Sequence, residues 1–360
     1  MYFSDSTCLR RMSVALSLQV KKFINSEHTG DYAHIALPLE LPELRMRKVR
    51  KASVAFDKAL NAADESAEIA DASDDNMSEP PDSQEYEKAQ ELEETNGYEQ
   101  VKMHYMEAGN GEPLILVHTV GQSLYTWRNV FERLSQSYRV IAVDLFGHGY
   151  SDRPDSFDYS IEDHARSLRL FMDALGIQSA HFIGFSLGAA YVLELARKTP
   201  ERVGRVILLA PGGITPEMPL HIRMIDSSLV GGIASRLYSY KTVGNLLREA
   251  VFDLTIITEE VVEEYYRPAS EPRARRAVRL SLHRFDDEEL LKEMRNIDNE
   301  VLILWGSEDK WHLPESAQLF HAALHNAQFA VIRNAGHLLH EEKAEKLASA
   351  VLEYIPVIMP

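Results

Sequence analysis

From about Asn96 onward, short unbroken apolar runs alternate with stretches whose apolar residues recur at helical spacing. The apolar runs are PLILVH (113–118), YRVIAVD (138–144), AHFIGF (180–185), VGRVILLA (203–210), NEVLILWG (299–306) and AQFAVIR (327–333). A strand with one wet face alternates apolar and polar residues, whereas these runs are apolar throughout. They therefore predict strands covered on both faces. The helical stretches are WRNVFERLSQS, SIEDHARSLRLFMDAL, LGAAYVLELARKTP, PESAQLFHAAL and EEKAEKLASAVLEYI. Ser160, three residues ahead of Asp163, gives the second of these a capping box. YEQVKMHYMEAGNGEP adds a strand that ends at the turn Gly109-Asn110-Gly111. The alternation predicts an α/β fold with a mostly parallel, doubly wound sheet, over a domain spanning 96–360.

One interval breaks the rhythm. Between about 212 and 295 the pattern is helical (DSSLVGGIASRLYSY, EEVVEEYY, PRARRAVRLSLHRF) with no buried strand. Such an insertion between two sheet strands predicts a helical cap over one edge of the sheet. Pocket shape is expected to be set by this cap, in which pattern alone does not assign Met218, Leu229, Tyr238 and Tyr266 inward or outward. No internal repeat is present.

The formal charge of −17 is unevenly placed. Asn61 to Gln100 holds 14 Asp/Glu against one Lys, while Met1 to Leu60 holds 10 Lys/Arg against 6 Asp/Glu. The acidic stretch has few large apolar residues and a break at Pro80-Pro81, so 61–95 reads as a disordered linker. Ahead of it, 1–60 reads as a partly helical N-terminal extension. LRRMSVALSLQVKKF spaces Leu9, Met12, Leu16, Val20 and Phe23 along one helical face with basic residues between. Two readings stand: an organelle-targeting or membrane-surface helix, or an amphipathic helix resting on the domain or a partner. With no basic stripe elsewhere, nucleic acid is not an expected partner, and membrane contact is expected only through this basic segment. The single cysteine, Cys8, forbids an intramolecular disulfide and suits a reducing compartment, and cytoplasm is the expected location.

The run Gly184-Phe185-Ser186-Leu187-Gly188 falls where a strand gives way to a helix. A serine hydroxyl is a poor nucleophile at neutral pH and needs an adjacent base and a presentation clear of its own backbone. A G-x-S-x-G turn between strand and helix provides that presentation. Partners are expected later, on loops that follow sheet strands. Asp309 lies in such a loop (VLILWGSEDKWHLP), and His337 follows a strand and a glycine (FAVIRNAGHLLHEE). The order Ser186, Asp309, His337 predicts a triad in which His337 takes the serine proton and Asp309 holds the imidazole. Glu308 competes for the acid and His340 for the base, although His340 reads better as part of the closing helix.

The stretch from about Tyr98 to Tyr354 resembles an α/β-hydrolase of the cap-bearing serine esterase and epoxide-hydrolase-like group. Beyond the serine turn, the resemblance rests on DLFGHGYSDRP (144–154), LYTWRNV, WGSEDKWHLP and NAGHLLHEE. It implies that the backbone N–H groups of Leu187 and Val120 form an oxyanion hole. The group usually has His-Gly-x where this chain has His118-Thr119-Val120. A positive φ at Thr119 would be costly for a β-branched residue, so either the loop takes another path or Gly121 supplies the freedom; the Thr119 hydroxyl could also assist, though nothing in the sequence requires it.

A serine nucleophile, in place of an aspartate, argues against opening epoxides or displacing halide and for attack on a carbonyl. The sequence implies no cofactor and no metal. The leading expectation is hydrolysis of a small or medium apolar carboxylic ester through an acyl-enzyme. The alternatives are carbon–carbon hydrolysis of a vinylogous diketone, perhydrolysis, and a ligand-binding protein with a slow or silent triad.

Overall fold

A computed structural model describes residues 30–38, 98–213 and 239–357. The chain divides into two compact units, one of Met1–Ile35 with Lys102–Pro360 and one of Ala36–Val101. The second is described only at its ends, where it supplies the last residues of one strand and the first of the next. The basic helical stretch at 9–23, the linker at 61–95, and Met218, Leu229 and Tyr238 lie outside the described residues.

The described elements, in chain order, begin with β1 (Asp31–Pro38), β2 (Tyr98–Ala108), β3 (Pro113–Val117), α1 (Arg128–Ser135) and β4 (Arg139–Val143). Next come α2 (Ile161–Ala174), β5 (Ala180–Phe185), α3 (Leu187–Lys198) and β6 (Val203–Leu209). The insertion contributes α4 (Tyr240–Ala250), α5 (Glu259–Ala269), α6 (Pro272–His283) and α7 (Glu288–Glu293). The chain then closes with β7 (Val301–Gly306), α8 (Ser316–Ala323), β8 (Ala327–Ile332), α9 (Leu339–Glu342) and α10 (Ala344–Tyr354).

The strands form one eight-stranded sheet in the order β1-β2-β4-β3-β5-β6-β7-β8. From β4 to β8 every pairing is parallel, and β2 joins β4 antiparallel. The central runs are buried as their composition requires, with Leu114 to Val117, Val140 to Val143 and Val206 to Leu209 all at 0% exposure. Ser160 caps α2 by accepting from the Asp163 N–H at 3.2 Å, as the capping box predicts. Among the described residues no helix is long and apolar enough to cross a membrane.

One strand was not legible as part of the domain. Residues 31–38 fall inside the stretch read as an extension, yet DYAHIALP forms β1, the edge strand beside β2. Its alternation is clean: Ala33, Ile35 and Leu37 are buried, and Tyr32, His34 and Ala36 are exposed.

The order reverses at β3, which has β4 on one side and β5 on the other. In an open α/β sheet that reversal leaves a crevice beyond the carboxyl ends of the strands, where ligands bind. Ser186 directly follows β5 at this crevice.

Candidate active site

The turn after β5 is backbone chemistry before it is side-chain chemistry. Ser186 has φ 52° and ψ −121°, a left-handed conformation that few non-glycine residues adopt. The Ser186 N–H donates to the Leu209 carbonyl at 2.9 Å, and its own carbonyl accepts from Ala189 and Gly212 at 3.0 and 3.2 Å. Such strain costs on the order of 1–3 kcal/mol and persists only where surroundings enforce it. The flanking glycines let those surroundings close in. A methyl group at Gly184 would stand 2.8 Å from the Ala189 Cα, and one at Gly188 would stand 2.4 Å from the His118 carbonyl oxygen. Real side chains do not tolerate either approach.

Sheet register brings the neighbouring loops to the same place. Val117 pairs with Gly184, so continuing the two strands sets His118 and Thr119 beside Phe185 and Ser186. Phe185 pairs with Leu209, Leu209 with Leu304, and Gly306 with Ile332. The loops after β3, β5, β6, β7 and β8 thus share one edge. Gly306 permits the closest of these approaches, since a Cβ there would lie 2.2 Å from the Gly336 carbonyl oxygen.

Across that edge Asp309 and His337 meet. Asp309 Oδ2 lies 2.8 Å from His337 Nδ1 and accepts from the Trp305 indole N–H at 3.1 Å. Its Oδ1 accepts from the backbone N–H groups of Trp311 and His312 at 2.8 and 3.0 Å. Burial alone would raise this carboxyl. The charge and hydrogen bond of His337, with the His312 N–H, outweigh burial and hold it below the ordinary carboxylate range. Glu308, the competing acid, is exposed and bonded to the Ser307 hydroxyl. His337 is 1% exposed and packs among the rings of Phe185, Trp311 and His312 at 5.0–5.1 Å. Its Nε2 is buried without a hydrogen-bond partner, so the bond to the serine hydroxyl is not formed in this state. Such bonds often tighten only when substrate is bound.

His340 is engaged elsewhere. It sits in the short helix α9, which precedes the closing helix α10, and its Nε2 lies 2.6 Å from Thr126 Oγ1. Burial pushes it down to about 3, leaving it neutral.

The loop after β3 resolves the question raised by Thr119. Its φ is not positive; Gly121 takes the left-handed turn at +78°. His118 locks the loop: Nδ1–H donates to the Thr119 carbonyl at 2.7 Å, and Nε2 accepts from the Leu145 N–H at 3.0 Å. The Leu187 N–H, one of the two expected oxyanion donors, is given to the Thr119 hydroxyl at 3.2 Å. Val120, the other, lies half-buried in the turn before Gly121.

Sequence reasoning missed the residues that fasten the histidine loop. Glu342 accepts from the Gly336 N–H at 2.6 Å and from the N–H groups of Phe252 and Asp253 at 2.9 and 2.7 Å. The Ala250 carbonyl accepts from His337 and Leu338 at 2.7 and 3.3 Å. Glu341 pairs with Arg128 at 2.6 Å, accepts from Thr126 at 3.0 Å, and accepts from the Tyr265 hydroxyl. The only signal was the acidic pair closing NAGHLLHEE. Among the described residues, no group of His, Cys, Asp and Glu is arranged to hold a metal ion.

A mostly parallel sheet with a strained serine turn after its central strand, and a buried Asp–His pair at the same edge, defines a hydrolase class. The chain belongs to the alpha/beta hydrolase fold family, whose model matches residues 112–344. It is 28% identical over 263 residues to a 2-hydroxy-6-oxo-6-phenylhexa-2,4-dienoate hydrolase of Comamonas testosteroni, covering 70% of this chain and 91% of that one. A 2-hydroxy-6-oxononadienedioate/2-hydroxy-6-oxononatrienedioate hydrolase of the same organism is 28% identical over 269 residues, with 72% and 93% covered. Among solved structures, a meta-cleavage product hydrolase from Pseudomonas fluorescens IP01 superposes with a TM-score of 0.61 at 27% identity, with 71% and 94% covered.

Proposed function

We propose that this hydrolase is a serine esterase acting on a small or medium apolar carboxylic ester through an acyl-enzyme. Ser186 is its nucleophile, His337 its base and Asp309 the residue that orients the imidazole. The observation that carries this reading is the Asp309–His337 bond of 2.8 Å, which leaves Nε2 as the free ring nitrogen beside the serine edge. Ser186 Oγ attacks the ester carbonyl while its proton passes to His337 Nε2. The carbonyl electron pair moves onto oxygen and is held by the N–H groups of Leu187 and Val120. Collapse re-forms the carbonyl, and the alkoxide departs with the proton from His337. Water, deprotonated by the same nitrogen, then releases the acid. The helical insertion between β6 and β7 acts as the cap and sets the accepted acyl length.

A second reading is carbon–carbon hydrolysis of a vinylogous diketone, favoured by the names of the Comamonas relatives. Both readings begin with attack by the same serine on a carbonyl, so the substrate decides between them. Purified protein should turn over p-nitrophenyl esters of graded chain length faster than 2-hydroxy-6-oxo-6-phenylhexa-2,4-dienoate. The reverse ranking would transfer the assignment to the carbon–carbon reaction. A serine-directed phosphonate should add one adduct to the intact mass, and none in Ser186→Ala. An adduct persisting in that variant would remove Ser186 from the mechanism, and labelling without turnover of either substrate would favour a binding protein.

A further inference from the structure

The loop after β3 departs from what its family resemblance implies at one residue, and the departure touches the reacting atoms. Leu187 is the first residue of α3, and a helix leaves its first N–H groups without partners inside the helix. Its N–H therefore points out of the helix at the serine edge, where a carbonyl oxygen becomes negative after attack. The acceptor found there is the Thr119 side chain, with Oγ1 3.2 Å from the Leu187 nitrogen.

The backbone that carries this hydroxyl is held in place. Thr119 is 6% exposed, and its carbonyl accepts from His118 Nδ1–H at 2.7 Å and from the Gln122 N–H at 3.3 Å. His118 is held in turn by the Leu145 N–H at 3.0 Å, so its ring cannot turn without losing both bonds. Gly188 lets this carbonyl-rich corner press against the first turn of α3. A hydroxyl fixed beside the Leu187 N–H has one more capacity than that N–H: it both accepts and donates. In the resting site it accepts.

We propose that Thr119 is a catalytic residue, its hydroxyl serving as a side-chain donor to the oxyanion alongside the Leu187 N–H. When Ser186 adds to the carbonyl, the new O⁻ is a stronger acceptor than a neutral hydroxyl and takes the Leu187 N–H. The Thr119 O–H, relieved of that bond, rotates about its Cβ–Oγ bond and donates to the same oxygen. No bond is made or broken at Thr119 and its proton stays on Oγ; only hydrogen bonds change partners. The exchange stabilises the tetrahedral state and not the bound ester, so it belongs in kcat rather than KM. It also gives the position usually filled by glycine a reason to carry a β-branched hydroxyl residue.

This inference rests on the serine-hydrolase reading, and the test separates the two. Phosphonylation of Ser186 by the phosphonate is measured first in the wild type. Its absence would sink the hydrolase reading and this inference with it. With phosphonylation present, kcat and KM are measured for Thr119→Val, Thr119→Ser and the wild type on the best ester, each variant checked for an unchanged Tm. Thr119→Val keeps the shape and removes the donor, and should lower kcat by roughly 10- to 100-fold with KM within about twofold. Thr119→Ser should restore kcat to within about threefold of the wild type. Inhibition by a trifluoromethyl ketone, which forms the tetrahedral adduct, should weaken in Thr119→Val in proportion to kcat/KM. A kcat in Thr119→Val equal to or above the wild type would overturn the proposal, since the hydroxyl would then only occupy the Leu187 N–H. A Thr119→Val deficit that serine does not rescue would overturn it too, and would assign Thr119 a packing role.

Discussion

At the scale of single residues, the two histidines of GHLLH divide by what their rings touch. His337 faces a buried carboxylate through one nitrogen and leaves the other free, while His340 spends Nε2 on the Thr126 hydroxyl. His337→Ala is expected to lower kcat by several orders of magnitude with KM little changed. Asp309→Asn should cost somewhat less, because the imidazole still samples the productive tautomer. His340→Ala should act mainly on stability. Steady-state kinetics on one ester checks all three: near-normal turnover in His337→Ala with collapse in His340→Ala would reverse the base assignment. Unaltered turnover in Asp309→Asn would shift the acid to Glu308. That Ser186, Asp309 and His337 would fall on loops at one edge of the sheet was legible, because each stands in a motif that also marks the end of a strand. The Thr119–Leu187 hydrogen bond was not, because it depends on a side-chain rotamer across 68 positions of sequence. Pattern could say only that threonine is unusual there and that its hydroxyl could assist, with nothing in the sequence requiring it.

At the scale of elements, the buried polar cluster between α1, α5 and α9 is where stability is most exposed to a single change. Arg128 and Glu341 are 9% and 4% exposed, and their ion pair is completed by Thr126 and Tyr265. Burial would raise the Glu341 carboxyl, but Arg128 outweighs it and keeps the group ionised. The pair is therefore a desolvated charge on each side, each sustained by the other. Removing one partner strands the other, at a cost of about 3–5 kcal/mol, whereas replacing both with apolar residues is far milder. Urea unfolding should show Arg128→Met and Glu341→Gln each strongly destabilised, and the Arg128→Met/Glu341→Leu double variant substantially recovered. Additive losses in the double variant would mean that the two charges do not support one another. Neither the cluster nor β1 was visible in advance. Arg128 and Glu341 are ordinary surface types in helical stretches, and DYAHIALP lies far from the domain in sequence, amid charged residues.

At the scale of the whole molecule, buried neutral histidines tie the fold to pH. Burial pushes His148 and His340 down to about 3 and His312 down to about 4, and it also depresses His118 and His164. His148, His164 and His340 each keep a ring nitrogen buried with no partner, so a second proton would have nowhere to be received. Unfolded, these rings bind protons below about pH 6.5, while the folded protein refuses them until much lower. The unfolded state then holds more protons across that window, and stability falls as pH falls. The loss should begin near pH 6.5, at up to about 1.4 kcal/mol per pH unit for each of His148, His312 and His340, with His118 and His164 adding in the same direction. It should precede the contribution of Asp144, Asp309 and Glu341, whose depressed values act only below the ordinary carboxylate range. Urea midpoints measured between pH 7.5 and 5 check this, and a flat profile across that range would contradict it. The parallel strands β3 to β7 were readable from apolar runs, since burial on both faces leaves a compositional trace, whereas β8, whose run is equally apolar, is an edge strand with Phe329 and Val331 exposed. The histidines' neutrality was not, because it follows from packing and not from spacing. The His337 loop carries one more implication. Its backbone hangs from the Ala250 carbonyl, and Glu342 clasps Gly336 together with Phe252 and Asp253 of the inserted segment. The inserted segment is thus part of the mounting of His337. Exchanging the insertion for a relative's would also re-hang His337, so under the proposed mechanism substrate range and catalytic competence would be inherited as one trait.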